Sequence, residues 1–319
     1  MSQTPISIGL SAAIVSVEKE NPCALVVAHE EGEDALPFGP FDPDSQRTLE
    51  QGLRKWVGEQ TSFDLGYTEQ LYTFGDRGRH LPSQGAGNAG RVLSVGYLAL
   101  TRQGEEDVSA GKRDTRWRGW YHYFPWEDWR GAKPRMIDAV ILPRLKSFVK
   151  AAASPQAAEL RRDRVRLCFG ADGVAWDEEK VLERYELLYE AGMAEEAGRD
   201  SGKPDRPADM PGAAMMYDHR RILATAIARL RGKMKYRPVV FELMAASFTL
   251  RELQLTVEAL LGLRLHKQNF RRLVAEQGLV EGTGKFSASP RGRPAELFRF
   301  RREVLRERPA PGLRLRARR

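Results

Sequence analysis

The sequence predicts an α+β chain of two unequal modules. Three observations carry that reading: a strand-rich first third, amphipathic helical stretches through the middle, and a compact basic unit at the C-terminal end. Residues 237–319 hold 18 Lys+Arg against 8 Asp+Glu, a net of +10, whereas the preceding 236 residues hold 33 against 35, a net of −2. A local cationic excess attracts a phosphate backbone and releases its counterions, so the C-terminal unit reads as a polyanion-binding module on a near-neutral body. A merely solvated basic surface is the competing reading, and the helical pattern described below weighs against it. A chain of 319 residues exceeds one average core, and two domains are expected. Hydrophobic residues at 42% with 29% charged fit a soluble folded protein.

No apolar run is long enough to cross a bilayer. The opening MSQTPISIGLSAAIVSVEK has no basic region before an apolar stretch and no cleavage-like site, so a cytoplasmic protein with no membrane partner is expected. Cys23 and Cys168 lie far apart in apolar surroundings and are expected to be reduced core residues. They and the five histidines show no zinc-binding spacing, and no metal site is expected.

Taken in order, residues 8–17 and 23–28 are β-rich runs broken by residues 18–22, a hairpin. The segment LPFGPFDPDSQ, dense in Pro, Gly and Asp, reads as a structured loop. Residues 46–59 follow as a helix, because Leu49, Leu53, Trp56 and Val57 recur at three- and four-residue steps. Strand character returns at 70–74 and 91–101. The aromatic segment 117–129, WRGWYHYFPWEDW, is either a packed domain edge or a stacking platform for a flat ring. Helices are expected over 137–149, 178–195 and 216–233, the last with Ile222, Leu223, Ala226, Ile227 and Leu230 as its stripe. The polar stretch 200–212 reads as exposed, and the boundary between modules falls at 235–238, where Pro238 interrupts helical continuation.

Local signals agree best in the terminal unit. Pro238 opens a short helix to about residue 245. Thr249 with Glu252 forms a capping box for a second helix that Gly262 stops, and a third helix over 266–277 is closed by Gly278. On this third helix Phe270, Leu273 and Val274 share one face. The opposite side carries Gln268, Arg271 and Arg272 with Lys267 and Asn269 on its flanks, groups suited to base edges and phosphates in a major groove. A strand at Leu279 and Val280, a glycine-rich turn with Lys285, Arg291 and Arg293, and the alternating ELFRFR of 296–301 complete the order of a winged helix-turn-helix. Arg291 and Arg293 are then placed to reach a flanking backbone or minor groove. The tail, with Arg314, Arg316, Arg318 and Arg319, adds sequence-independent attraction.

Residues 36–63 resemble a Nudix box, a glycine loop leading into a helix that normally carries an arginine and several glutamates. In active members the glutamates hold Mg²⁺. Here Arg54 stands at the arginine position and Glu59 keeps one acid. Lys55 and Gly58 fill the neighbouring acidic positions, and about Ser45 takes that of the early loop glutamate, with the spacing shifted by one residue. Lysine and glycine cannot replace metal carboxylates, so no catalytic residue is expected and the chain is not expected to be an enzyme. Together with EQLYTFGDRGR (69–79), RVLSVGYLAL (91–100), HKQNFRR (266–272) and GRPAELFRF (292–300), the chain resembles the Nudix-related transcriptional regulators of bacterial NAD metabolism, the NrtR-like family. Within it the chain looks most like the alphaproteobacterial branch called NadQ.

The resemblance implies an N-terminal Nudix-like α/β/α sandwich over residues 1–236, with a helical insertion around 151–213, and a C-terminal winged helix-turn-helix domain over 237–319 with a basic tail. It implies a homodimeric repressor of NAD biosynthesis or salvage genes that binds double-stranded operator DNA at an inverted repeat. It needs no cofactor and senses ADP-ribose or ATP, with Mg²⁺ accompanying the nucleotide. The effector-binding positions carried over are Arg54, Glu59, Gly75, Asp76 and Arg77. Those for DNA are Lys267, Gln268, Asn269, Arg271, Arg272, Lys285, Arg291 and Arg293. Two rival readings are a Nudix hydrolase of ADP-ribose or a related dinucleotide with an accessory nucleic-acid module, and an RNA-binding or architectural protein that exploits the basic tail.

Overall fold

A computed structural model describes residues 6–28, 33–61, 65–76, 91–102, 115–202, 211–287 and 294–313. Its organising strand is β1 (Ile6–Glu18), whose middle is buried on both faces, as its unbroken apolar run requires. The chain reverses at Lys19 and Glu20, both with positive φ (45° and 69°), and returns antiparallel as β2 (Asn21–Ala28). That backbone sense matches the twist of the two strands. β3 (Asp34–Ala35) pairs with β2, and β4 (Phe38–Pro40) pairs with β1. A short strand thus stands where the sequence reads only as loop. Its backbone is held from outside, since the Gln60 side chain donates to the Phe38 carbonyl (2.7 Å) and accepts from the Phe38 N–H (3.3 Å). Gln60 belongs to α1 (Leu49–Thr61). β5 (Tyr67–Phe74) runs antiparallel to β6 (Arg91–Leu100), which lies parallel to β1, and β7 (Thr115–Gly119) pairs with β2.

Alternation along the strands decides which helix covers which face. Leu10, Ala12, Ile14, Leu25, Tyr97 and Ala99 meet Leu53 and Val57 of α1 on one side. Ala13, Val15, Ala24, Val26, Leu98 and Leu100 share the other side with residues of a long later helix, making the α/β/α sandwich expected of a Nudix-like domain. Gly96 allows that helix to come close, because a Cβ there would lie 3.1 Å from Ile222 Cγ2.

After β7 two 3₁₀ turns, Trp120–His122 and Pro125–Glu127, bury Trp120, Tyr123, Phe124 and Trp126 almost completely. The aromatic segment is therefore core, with Phe124 and Trp126 packed edge to face at 5.8 Å. A π turn over Ile137–Ile141 leads into α2 (Leu142–Lys150). Pro143 has no N–H to complete the regular ladder at that point, and the preceding turn widens. α3 (Pro155–Phe169) starts on a Ser154 cap that accepts from the Ala157 N–H (3.1 Å), and ends at Gly170 in the left-handed region. Its buried residues, Val165, Cys168 and Phe169, all fall in its C-terminal half, so it shows little periodic signal. The helix expected over 178–195 is the shorter α4 (Val181–Glu190), which ends ahead of Gly192 (φ 68°), and a separate α5 (Glu195–Asp200) follows. α6 (His219–Met234) crosses the sheet and buries residues on most of its circumference, including all five of its expected stripe. Among the described residues no helix is long and apolar enough to span a membrane.

The C-terminal domain opens with a 3₁₀ turn over Val239–Leu243. α7 (Leu250–Leu261), α8 (Lys267–Gln277), β8 (Val280–Phe286), β9 (Glu296–Phe300) and the short α9 (Val304–Glu307) follow. Both hydrogen bonds of the Thr249–Glu252 capping box form, and Gly262 (φ 71°) and Gly278 (φ 54°) end their helices. Phe248 pairs with Phe298 through two backbone bonds of 2.9 and 2.8 Å, adding a third segment to the β8–β9 wing. One apolar core runs without a break from Ala13 in β1 to Val274 in α8 and Leu313 near the C-terminus.

A buried ionic node spans that core. Glu127 (1% exposed) receives Arg184 at 2.5 and 2.9 Å and Arg231 at 2.7 Å, both arginines being fully buried. Arg184 also donates to the Cys168 and Asp177 carbonyls (2.9 Å each), and Arg231 to those of Leu260 (2.8 Å) and Glu178 (2.9 Å). Changing Glu127 to Ala strands two buried guanidiniums. The expected loss is about 3–5 kcal/mol of unfolding free energy, read from urea denaturation beside a control change at exposed Glu159.

Candidate functional site

The third helix of the C-terminal domain turns its polar side outward. Phe270 (2% exposed) and Val274 (1%) anchor α8 in the core, with Leu273 half-buried beside them. Lys267, Gln268, Asn269, Arg271, Arg272 and Ala275 are all exposed, so the five polar positions singled out by helical periodicity lie on the open side. Glu276 shares this side and stands 3.8 Å from Arg272, too long and too wet a pair to immobilise the guanidinium.

Sequence reasoning missed the group that sets the angle of this helix. Glu258 of α7 is 3% exposed, and its carboxylate accepts from the Leu265 N–H (2.9 Å), Gln254 Nε2 (2.8 Å) and Arg264 Nη1 (2.7 Å). It ties down the turn between α7 and α8. The available signal was an acid inside an otherwise apolar stretch, VEALL, at a position where a helix turns inward. The turn is also docked on the body: the Trp129 N–H donates to the Gly262 carbonyl (2.7 Å), and Tyr121 Oη donates to that of Ala259 (2.6 Å). A Cβ on Gly262 would come within 2.2 Å of the Glu127 carbonyl oxygen, so the docking needs glycine for space as well as for backbone sign. On the wing, Lys285 is exposed and Arg299 pairs across the strands with Glu281 (2.6 Å). Arg291 and Arg293 lie outside the described residues, as does the tail beyond 313.

The expected effector residues are not gathered at one place. Arg54 is spent on structure: it bonds Glu50 (2.9 Å), the carbonyls of Leu65 and Gly66, and Thr68 Oγ1 (3.3 Å). Hydrogen bonds from Arg54 and Thr68 hold the Glu50 carboxyl below its ordinary range. Gly75 and Asp76 follow the far end of β5, seven residues beyond Thr68 and thus about 23 Å away along an extended strand. There Asp76 pairs with Arg221 of α6 (2.6 Å), which also meets Glu186 and Asp218. Arg77 lies outside the described residues. Glu59, Lys55 and Gly58 are exposed on α1. With Glu50 committed to Arg54 and one free acid left, this helix does not offer the donor set that Mg²⁺ needs. No group of three or more potential metal ligands occurs among the described residues.

The loop ahead of α1 is tied together by side-chain hydrogen bonds. Asp42 accepts from Ser45 Oγ (2.5 Å) and the Asp44 N–H (3.1 Å), Gln46 accepts from the Asp42 N–H (3.1 Å), and Trp56 Nε1 donates to the Pro40 carbonyl (2.6 Å).

Residues 240–300 match the family model described as the NrtR DNA-binding winged helix domain. Over 86 residues, 27% of this chain, the sequence is 42% identical to the ADPR responsive transcriptional repressor NtrR of Acinetobacter baylyi, and the match spans 34% of that relative's length. Two solved structures share the fold across nearly the whole chain. Shewanella oneidensis NrtR complexed with a 27mer DNA has TM-score 0.55 and 20% identity, covering 93% of this chain and 94% of that one. A MutT/nudix family protein from Enterococcus faecalis has TM-score 0.53 and 17% identity, covering 94% and 88%. The C-terminal unit is thus a winged-helix domain of the NrtR type, and the N-terminal part is Nudix-like.

Replacing Glu258 with Ala removes the acceptor for three donors. A loss of about 2–3 kcal/mol is expected, together with faster amide exchange at Leu265, while exchange in β1 stays slow.

Proposed function

We propose that the chain is a ligand-responsive transcriptional repressor whose winged helix, residues 237–319, reads double-stranded operator DNA. Residues 1–236 form its sensor, a Nudix-like domain that binds an adenine nucleotide or ADP-ribose without hydrolysing it. On this reading the regulated genes serve NAD biosynthesis or salvage, as in the NadQ branch. The observation that carries the proposal is the exposed side of α8, with Gln268, Asn269, Arg271 and Arg272 turned outward while Phe270 and Val274 hold the opposite side in the core. Amides and guanidiniums supply the paired donors and acceptors that base edges demand, and Lys267 and Lys285 supply charge for phosphates. One such helix covers too few base pairs to discriminate adequately, so two copies on an inverted repeat complete the reader as a homodimer.

The relative from Acinetobacter is named for its response to ADPR, which supports ADP-ribose as the first effector to try. Gly75, Asp76 and Arg77 are the proposed contact, because Asp76 is joined through Arg221 to α6, the helix that runs directly into the winged-helix domain. An effector there changes DNA binding only through unequal affinity for the DNA-competent and DNA-incompetent arrangements.

Fluorescence anisotropy on a duplex from the gene's own promoter tests the reading side. Changing Arg271 and Arg272 to Ala is expected to weaken binding by about 1–3 kcal/mol per base contact, and undiminished affinity would remove α8 as the reader. Calorimetric titration with ADP-ribose, ATP and NAD⁺ tests the sensor: one of them is expected to bind and to shift operator affinity. Multiple-turnover release of AMP or phosphate that Glu59→Gln abolishes would instead favour a hydrolase.

A further inference from the structure

Outside the C-terminal unit two stretches are strongly cationic; the six Lys+Arg of residues 219–236 are all ion-paired, which leaves residues 130–170. Residues 130–170 carry ten Lys+Arg against three Asp+Glu, a net of +7, which leaves the other 195 residues before 237 at −9. This stretch comprises the loop ahead of α2 and the α2–α3 hairpin. Some of its cations are consumed internally: Arg164 grips Glu190 (2.6 and 2.8 Å), Arg161 donates to the Phe148 carbonyl (2.7 Å), and Lys133 pairs with Asp138 (2.7 Å). Arg135, Lys146, Lys150 and Arg162 are exposed and have no acidic partner among the described residues. Arg166 is exposed and has only a loose pair with Asp163 (3.8 Å).

Their placement is ordered. Lys146 and Lys150 are four apart on α2, as are Arg162 and Arg166 on α3, so each pair lines one edge of its helix. Like charges at that spacing repel, a cost that an external polyanion removes. The bond from Arg161 to the Phe148 carbonyl aligns the two helices and sets Lys146 about level with Arg162. The stretch is joined to the α7–α8 turn through Trp129, just before it, and through Phe169 by way of Trp176. The Trp129 N–H is bonded to the Gly262 carbonyl (2.7 Å). Trp129 packs on Trp176 at 4.4 Å with the rings tilted by 36°, and Trp176 in turn packs on Phe169, the last residue of α3, at 6.5 Å. From Phe169 α3 extends back for fifteen residues, about 22 Å at ~1.5 Å per residue, the length of roughly six base-pair steps.

We propose that the α2–α3 hairpin is a second phosphate-contact surface. Arg135, Lys146, Lys150, Arg162 and Arg166 hold the backbone of the duplex flanking the half-site that α8 reads. The flank is gripped regardless of its sequence, and the operator footprint extends beyond the winged helix. The inference rests on α8 engaging duplex DNA. Continuity with that domain, through Trp129 and Gly262, makes DNA the occupant.

The test uses the full chain and a variant with Arg135, Lys146, Lys150 and Arg162 all changed to Gln, a set of exposed positions that spares the core. The probes are a duplex of about 20 base pairs selected in vitro from a random library by the wild-type chain, and the same duplex with about 15 random base pairs added at each end. Wild type is expected to bind the longer duplex more tightly. The variant is expected to lose that gain, with the slope of log Kd against log salt shallower by about 2–4 on the longer duplex, at about 0.9 per phosphate contact, and unchanged on the shorter one. A variant that keeps both the gain and the slope overturns the proposal. So does a variant that binds both duplexes normally and loses only its binding to phosphatidylglycerol vesicles. If Arg271→Ala with Arg272→Ala leaves the short duplex unaffected, the reading by α8 fails instead, and the two failures are told apart.

Discussion

Glu127 is the residue on which the arrangement of the two domains depends. Its carboxylate lies in the aromatic turn after β7 and accepts from Arg184 of α4 and Arg231 of α6. Arg231 continues to the Leu260 carbonyl at the end of α7. Four chain segments from both domains therefore meet at a site with almost no solvent exposure. Buried charges are tolerated only when geometry and extra hydrogen bonds offset their desolvation. Here every guanidinium nitrogen of Arg184 finds an oxygen, and Arg231 is bonded through all three of its nitrogens. A hydrophobic contact at the same place would tolerate sliding, whereas this one fixes orientation.

That node and the continuous core beside it make the winged helix part of the body. The turn between α7 and α8 is pinned from below by Glu258 and from the side by Trp129 and Tyr121. Opening this interface would expose apolar surface and break the Arg231–Leu260, Trp129–Gly262 and Tyr121–Ala259 hydrogen bonds together. α6 is the rod that joins them: Arg221 near its start holds Asp76 at the end of β5, and Arg231 near its end holds Glu127 and Leu260. Gly75 and Asp76 are thus joined through Arg221 and α6 to Arg231 and the base of the winged helix.

The parts legible in the sequence were those governed by near neighbours. The Thr249–Glu252 box, the stops at Gly262 and Gly278, and the anchoring of α8 by Phe270 and Val274 each follow from spacing within one helix, and the structure has all of them. α3 was hard to read because its apolar residues crowd one end. β4 was missed because it is short, its partner β1 is distant in the sequence, and its Phe38 backbone is otherwise held by the Gln60 side chain twenty-two residues away. Arg54 illustrates the limit for sites. Its identity and its helix were visible, yet its commitment to Glu50, Leu65 and Gly66 depends on how the chain returns after α1.

By itself the sequence determined the α+β class, the order of helices and wing at the C-terminal end, and which side of α8 is polar. These are set by periodicity and capping, whose range is a few residues. Tertiary structure alone decided that Glu127, Arg184 and Arg231 share one buried site, that Arg54 and Asp76 stand at opposite ends of β5, and that Trp129 is bonded to Gly262 at the end of α7. Each of these joins residues tens of positions apart, and such pairings are chosen by how whole layers pack, which no local pattern encodes.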